Sequence, residues 1–282
     1  MKCVGYDELE GKVVVITGGG GVICSELGKA IAEAGAKVAL LDLNEEMANE
    51  KAQELSAKGY IVRGYKANVL DKNSLKQAHQ KILEEMGKCD ILINGAGGNN
   101  PKATTDKEYY ETGDMQKDIK TFFELEKEGI EFVFNLNLMG TILPTQEFAQ
   151  DMIEKKAGNI LNISSMNAFT PLTKIPAYSG AKAAVSNLTK WLAVHFSKMG
   201  IRVNAIAPGF FVTEQNRKLL WNDDGTPTER TGKILAATPM ERFGKVDELV
   251  GATMLLISDE KASFITGVVL PIDGGFSSYS GV

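Results

Sequence analysis

The sequence predicts an α/β fold: a doubly wound, seven-stranded parallel sheet with helices on both faces, in a single domain. Three observations carry this. Apolar runs of strand length alternate with amphipathic helical stretches along most of the chain, as right-handed βαβ crossovers require. The first apolar run, Lys12 to Thr17, empties into four glycines, Gly18 to Gly21, just ahead of a helical stretch. Later runs end in Asn-Gly, Ser-Ser, Pro-Gly and Asp-Gly, which puts polar residues at the carboxyl ends of strands, where ligands lie in such sheets.

Taken in order, Lys12–Thr17 reads as a strand buried on both faces, because it is continuously apolar. Ser25–Ala34 follows as a helix with Leu27, Ile31 and Ala34 at helical spacing, and Gly35 stops it. Lys37–Leu41 is the second strand and completes a βαβ unit whose glycine turn and helix N-terminus can hold a phosphate. Asn44–Lys58 reads as a helix, Tyr60–Lys66 as a strand, Ser74–Met86 as a helix, and Asp90–Ile93 as a strand running into Asn94-Gly-Ala-Gly-Gly98. Residues 99–131 break the rhythm with charge and little apolar periodicity. A long insertion in a compact domain usually has a use, so it is expected to be partly helical and to border the site. Phe132 to about Glu154 reads as a helix carrying Asn137, Asn159–Ile163 as a strand ending in Ser164-Ser165, and Tyr178–Lys198 as a helix. Ile201–Ile206 is the sixth strand, ending at Pro208-Gly209. The polar, irregular 210–244 segment is expected to act as a lid over the substrate. Asp247–Ile257 is the last helix, and Val268–Ile272 the last strand.

Composition narrows the function. With 282 residues, 44% hydrophobic and 24% charged, the chain can bury one large core. A net charge of −5 gives no basic footprint, so no nucleic-acid partner is expected. The opening MKCVGYDELEGK lacks an apolar core of signal length, and no stretch is apolar enough to span a bilayer, so a soluble cytoplasmic protein with no membrane partner is expected. Cys3, Cys24 and Cys89 form no C-x-x-C pair and read as reduced thiols. His79 and His195 stand apart from each other and from any Cys, so no metal site is expected and both read as ordinary helix residues.

Two features carry chemistry. Asp42 ends the second strand about 20 residues past the glycines, where an acid accepts hydrogen bonds from an adenosine ribose and repels a 2′-phosphate; this favours NAD. Leu43 behind it brings no positive charge to reverse that preference. Tyr178 and Lys182, four residues apart at a helix start, share one face, and a nearby ammonium favours the phenolate.

Together with Thr17-Gly18 and its glycine run, Asn94-Gly-Ala-Gly97, Asn137 in Asn-Leu-Met-Gly, Ser165 in Asn-Ile-Ser-Ser, and Pro208-Gly209 after Arg-Val-Asn-Ala-Ile-Ala, these residues resemble the short-chain dehydrogenase/reductase family from about Gly11 to Gly275. The resemblance implies a Rossmann fold and a catalytic tetrad. In it Tyr178 is the general acid/base, Ser165 bonds the reacting oxygen, Lys182 lowers the Tyr178 pKa and holds the nicotinamide ribose, and Asn137 positions a water in a proton relay. It assigns the cofactor to Gly18, Gly20, Gly21, Val22, Ile23, Asp42, Leu43, Asn68, Val69, Asn94, Gly95, Ala96, Gly97, Tyr178, Lys182, Pro208, Gly209, Val212 and Thr213. A homotetramer built on the helices around Phe132 and Tyr178 is implied as well. The chain departs from the family's T-G-x-x-x-G-x-G pattern at Val22 and Cys24, where glycines are usual. The extra glycines at 20 and 21 are expected to compensate, with the helix slightly displaced.

Within the family, Asn94–Pro101, Pro208–Arg217, Thr238–Gly244 and Tyr279–Val282 resemble the D-mannonate oxidoreductase (fructuronate reductase) branch. That implies NADH-linked reduction of a sugar-acid ketone. A carboxylate needs a cation and the hydroxyls need polar partners; Asn99, Asn100, Lys102, Asn216 and Arg217, in the two irregular segments, are the candidates. Gluconate 5-dehydrogenase-like or 3-oxoacyl reductase-like activity is the alternative, and a non-catalytic NAD sensor a further one.

Overall fold

The computed structural model describes residues 5–212 and 220–281. Seven parallel strands, β1 (Val13–Thr17), β2 (Lys37–Asp42), β3 (Val62–Lys66), β4 (Ile91–Asn94), β5 (Gly158–Ile163), β6 (Ile201–Pro208) and β7 (Val269–Ile272), form one sheet in the order β3-β2-β1-β4-β5-β6-β7. The expected architecture is therefore present, with strand limits shifted by a residue or two. The winding reverses between β1 and β4, which pair with Thr17 opposite Asn94. Their carboxyl ends open the crevice in which such sheets take ligands.

Alternate strand residues feed two cores, one on each face. Val14 and Ile16 of β1, with Val38 and Leu40 of β2, pack against Leu27 and Ile31 of α1 (Val22–Glu33) and Met254 of α8 (Val250–Ile257). Val13, Val15, Ala39 and Leu41 face the other way, onto Leu75 and Ile82 of α3 (Lys72–Glu85), Phe148 and Met152 of α5 (Gly140–Lys155) and Leu192 of α6 (Pro176–Phe196). Asn44 caps α2 (Glu45–Ser56) by accepting from the Glu46 and Met47 amides, so the helix starts three residues past Asp42. His79 of α3 bonds Glu147 and Asp151 of α5 at 2.9 Å each, a packing role consistent with an ordinary helix residue.

Two segments differ from the sequence reading, the helix expected from Phe132 and the 210–244 stretch, while the 99–131 stretch is partly helical. The 99–131 stretch is held by short 3₁₀ turns at Pro101–Ala103, Asp114–Gln116 and Phe122–Glu124, and its last part already belongs to α4 (Lys127–Phe134). The helix expected from Phe132 is not one regular helix: a π-helical segment, Asn135–Met139, separates α4 from α5. Within 210–244, α7 (Glu229–Ala236) is helical. Among the described residues no helix is long and apolar enough to cross a membrane.

Candidate active site

The glycine run leaves β1 through Gly18, whose φ of 68° suits glycine. A Cβ there would stand 3.0 Å from the Ala96 amide nitrogen, so glycine is what lets the β1 and β4 loops close on one another. Thr17 Oγ1 ties the same two loops by accepting from the Gly95 amide at 3.0 Å and the Ala96 amide at 3.2 Å. Gly20 N–H donates to Asp42 Oδ2 at 3.0 Å and Asn44 N–H to Oδ1 at 3.0 Å, fixing the carboxylate at the tip of β2. Gly21 precedes α1 without a side-chain cap. The first-turn amides of Val22, Ile23 and Cys24 thus have no intrahelical acceptor and face a cleft of about 600 Å³. Backbone donors at a helix N-terminus, a glycine cradle and an acid at the next strand end are a donor set that fits a dinucleotide.

Val22 and Cys24 are accommodated without backbone strain, both lying in α1 with ordinary φ. The Cys24 sulfur occupies the space beside Gly95, where an added Cβ would come within 2.1 Å of it. Burial, with the Asp42 charge nearby, pushes the Cys24 thiol up to about 12, so it packs there as a small neutral hydrophobe.

Deeper in, Asn137 is fully buried in the π segment. Its Nδ2 donates to the Gly98 and Val133 carbonyls at 2.7 Å each, and Oδ1 accepts from the Gly98 amide at 3.2 Å. A Cβ on Gly97 would meet Asn137 Oδ1 at 2.7 Å and Lys182 Nζ at 3.1 Å, so both side chains converge on the β4 loop. Lys182 Nζ donates to the Ile163 carbonyl at 2.8 Å and lies 5.6 Å from the centre of the Tyr178 ring. Ser165, next to the end of β5, orders its turn by accepting from the Asn167 amide at 3.3 Å. The four side chains come from the π segment, the β5 turn and α6, and meet beside the cleft.

Their electrostatics differ from expectation in one respect. Burial pushes the Lys182 ammonium down from 10.5 to about 8, with only partial opposition from Cys24. Burial also raises the Tyr178 phenol above its ordinary 10, and the neighbouring Ser165 hydroxyl pulls the other way. The expected lowering of the Tyr178 pKa by Lys182 is not found: the ammonium is aimed at the Ile163 carbonyl, and burial sets the direction for the phenol.

The sequence profile of the short chain dehydrogenases matches residues 12–224. The chain belongs to this family. An "uncharacterized oxidoreductase" of Haemophilus influenzae is 58% identical over 282 residues, covering all of this chain and 99% of that one. A structure of a protein proposed as a D-mannonate oxidoreductase from Haemophilus influenzae, with bound NAD, is 59% identical, covers 97% of this chain and 98% of its own, and superposes with a TM-score of 0.94. A gluconate 5-dehydrogenase from Burkholderia cenocepacia in complex with NADP and tartrate is 30% identical, with coverages of 97% and 98% and a TM-score of 0.82. The protein is an oxidoreductase of the short-chain type.

As a short-chain dehydrogenase/reductase it can be compared residue by residue with the expected site. Gly18, Gly21, Val22, Ile23, Asp42, Gly95, Ala96, Gly97 and Gly209 line the cleft. Gly20 backs it through Asp42. Asn94 does not face it: its Nδ2 is turned inward to Thr145 Oγ1 at 3.0 Å and Asn162 Oδ1 at 2.9 Å. Asn68 is folded onto its own turn, its Oδ1 accepting from the Leu70 amide at 3.0 Å, and Val69 is buried. Leu43 is exposed, Pro208 closes β6, and the Val212 amide reaches the Gly244 carbonyl at 3.4 Å. Thr213, Asn216 and Arg217 lie outside the described residues. Of the other substrate candidates, Asn99 bonds Thr104, Asn100 caps the turn at Pro101, and Lys102 is spent on Glu126 at 2.7 Å, so none of the three turns its polar group to the cleft. Sequence reasoning missed Met47, Phe210, Phe211, Leu220, Arg230, Ile234 and Phe243, which also line it. Most come from the 210–244 segment, whose approach to the glycine turn has no periodic signal.

Proposed function

We propose that the protein is an NAD(H)-dependent sugar-acid oxidoreductase that reduces D-fructuronate to D-mannonate and catalyses the reverse. The observation that carries the cofactor choice is Asp42, whose carboxylate is fixed at the adenosine end of the cleft by two backbone amides. It offers acceptors to ribose hydroxyls and repels a 2′-phosphate. NAD in the 59% identical structure supports this, and that protein's proposed D-mannonate activity supports the substrate.

Bound NADH would supply the hydride to the ketone carbon. Tyr178 then gives its phenolic proton to the ketone oxygen, so that hydride and proton together complete the alcohol. A phenol kept protonated by burial is suited to that direction. Ser165 donates to the same oxygen and stabilises the charge that develops on it. Lys182 bears the nearest buried positive charge and, with Asn137, shapes the floor under the β4 loop.

The setting is proposed to be cytoplasmic, consistent with the buried free thiols of Cys24 and Cys89. A homotetramer is proposed on the exposed Phe132, Phe134, Trp191 and Val194 of α4 and α6. The deciding experiment follows nicotinamide absorbance with NADH and with NADPH over D-fructuronate, tagaturonate and 5-ketogluconate. Preference for NADH and D-fructuronate is expected; turnover confined to NADPH or to acyl ketones would remove the proposal.

A further inference from the structure

A second cavity, of about 650 Å³, adjoins the cofactor cleft and shares Phe210, Arg230 and Ile234 with it. One wall is the loop Thr170–Lys174, which joins the Ser165 turn to the start of α6 and so runs between the two residues proposed to handle the ketone oxygen. The others are the 106–111 stretch and α7. Eight charged side chains line it, four cations and four carboxylates, but they are not equally committed. Lys233 bridges Glu108 and Glu229 at 3.0 Å each. Lys107 pairs with Glu111 and with Asp114. Asp106 accepts the Lys120 backbone amide at 2.7 Å. Among the described residues, Lys174 and Arg230 have no carboxylate within ion-pair distance.

Among the described residues, Lys174 is also one of three non-glycine residues with a left-handed backbone, at φ 70°. A lysine there is strained where glycine would be relaxed, and such outliers cluster at ligand sites. Its carbonyl is held by the Thr105 amide at 2.9 Å, which fixes the turn that presents the side chain.

A sugar acid carries its ketone and its carboxylate several carbons apart. The carboxylate therefore needs cations displaced from the proton-handling residues by the length of that chain, in a space continuous with the cleft. The geometry points to Lys174 and Arg230 as the pair that takes the substrate carboxylate, and hence as the residues that set preference for an acid over a neutral ketose. This rests on the sugar-acid reading above. A guanidinium supplies a bidentate fork and an ammonium a point charge, and the Thr170 and Thr173 hydroxyls on the same wall suit the sugar's hydroxyls.

The probes are D-fructuronate and D-fructose, which share the keto carbon and differ in a terminal carboxylate against a terminal hydroxymethyl. Lys174→Gly relaxes the backbone while removing the charge, so it should hold or raise Tm. It should also lower the ratio of kcat/KM for D-fructuronate over D-fructose by about 10- to 100-fold, mostly through KM. If D-fructose is not turned over, its inhibition constant against D-fructuronate replaces its kcat/KM. Arg230→Lys should keep more of the ratio than Arg230→Gln. A ratio within about threefold of wild type in both Lys174→Gly and Arg230→Gln, in an enzyme that reduces D-fructuronate, overturns this inference and leaves the sugar-acid reading standing. A wild-type enzyme that turns over none of D-fructuronate, tagaturonate and 5-ketogluconate removes both.

Discussion

Replacing Lys182 by methionine should change how stability depends on pH in a way that isolates one buried charge. An ammonium moved from 10.5 to about 8 on folding costs the folded state about 3 kcal/mol at neutral pH, at about 1.4 kcal/mol per tenfold. The sign follows from proton binding. Between the folded and unfolded values the unfolded chain holds the proton and the folded chain has released it, so stability rises with pH across that window. The penalty is fully present below pH 8 and is relieved as pH climbs towards 10.5. About 2 kcal/mol of it is relieved by pH 9.5. Lys182→Met has no proton to lose. Its missing bond to the Ile163 carbonyl costs the same at every pH, and the surface lysines titrate alike in both proteins. Urea unfolding of the two proteins at pH 7 and 9.5 should therefore show wild type gaining about 2 kcal/mol on the variant. Parallel stabilities would mean that Lys182 keeps its ordinary affinity for a proton, and the account of its burial would be wrong.

Other substitutions test the remaining parts. Tyr178→Phe should bind NADH as wild type does, by fluorescence titration, and lose about 10²- to 10⁴-fold in kcat; near-normal turnover would displace Tyr178 from the proton step. Asp42→Ala should shift the ratio of kcat/KM for NADH over NADPH by at least about tenfold towards NADPH, by removing a carboxylate opposed to a 2′-phosphate; an unchanged ratio would deny Asp42 that role. Gly95→Ala puts a methyl 2.1 Å from the Cys24 sulfur and 2.8 Å from the Thr17 carbonyl oxygen, and should cost about 1–3 kcal/mol in urea unfolding. Adding Cys24→Gly should recover part of that loss, since only the sulfur contact is relieved, and strictly additive effects would show that the two residues do not share the space.

Much of this was legible before the structure. Doubly buried strands such as Val13–Thr17 have no polar alternative to disguise them, and strand ends mark themselves with Gly, Asn, Ser and Pro, so the sheet, the glycine turn, Asp42 and the meeting of Asn137, Ser165, Tyr178 and Lys182 could be laid out from pattern and resemblance. What failed depends on direction and on neighbours distant in sequence. Asn94 was correctly placed at the end of β4, but a strand end does not say which way a side chain turns, and here Thr145 and Asn162 draw it inward. Lys102 was a free cation until Glu126 was folded beside it. The 3₁₀ turns of the 99–131 stretch are held by local bonds such as the Thr121–Glu124 box, which have no period to detect. Helix α7 buries little beyond Thr231 and Ile234, too few residues to announce it, so Arg230 acquires meaning only once that helix lies against two cavities.

The π-helical turn at Asn135–Met139 amounts to one residue more than an α-helix would use to cover the same rise. Deleting a single residue there would let α4 and α5 fuse into one uninterrupted α-helix, their outer turns still in phase because the wide turn had absorbed the extra residue. The side chains within the bulge would be re-aimed, and Asn137 would leave the Gly98 loop. Helix regularity has been given up at this point for aim. A deletion that leaves the long helical stretch intact would here cost the active site one of its four side chains.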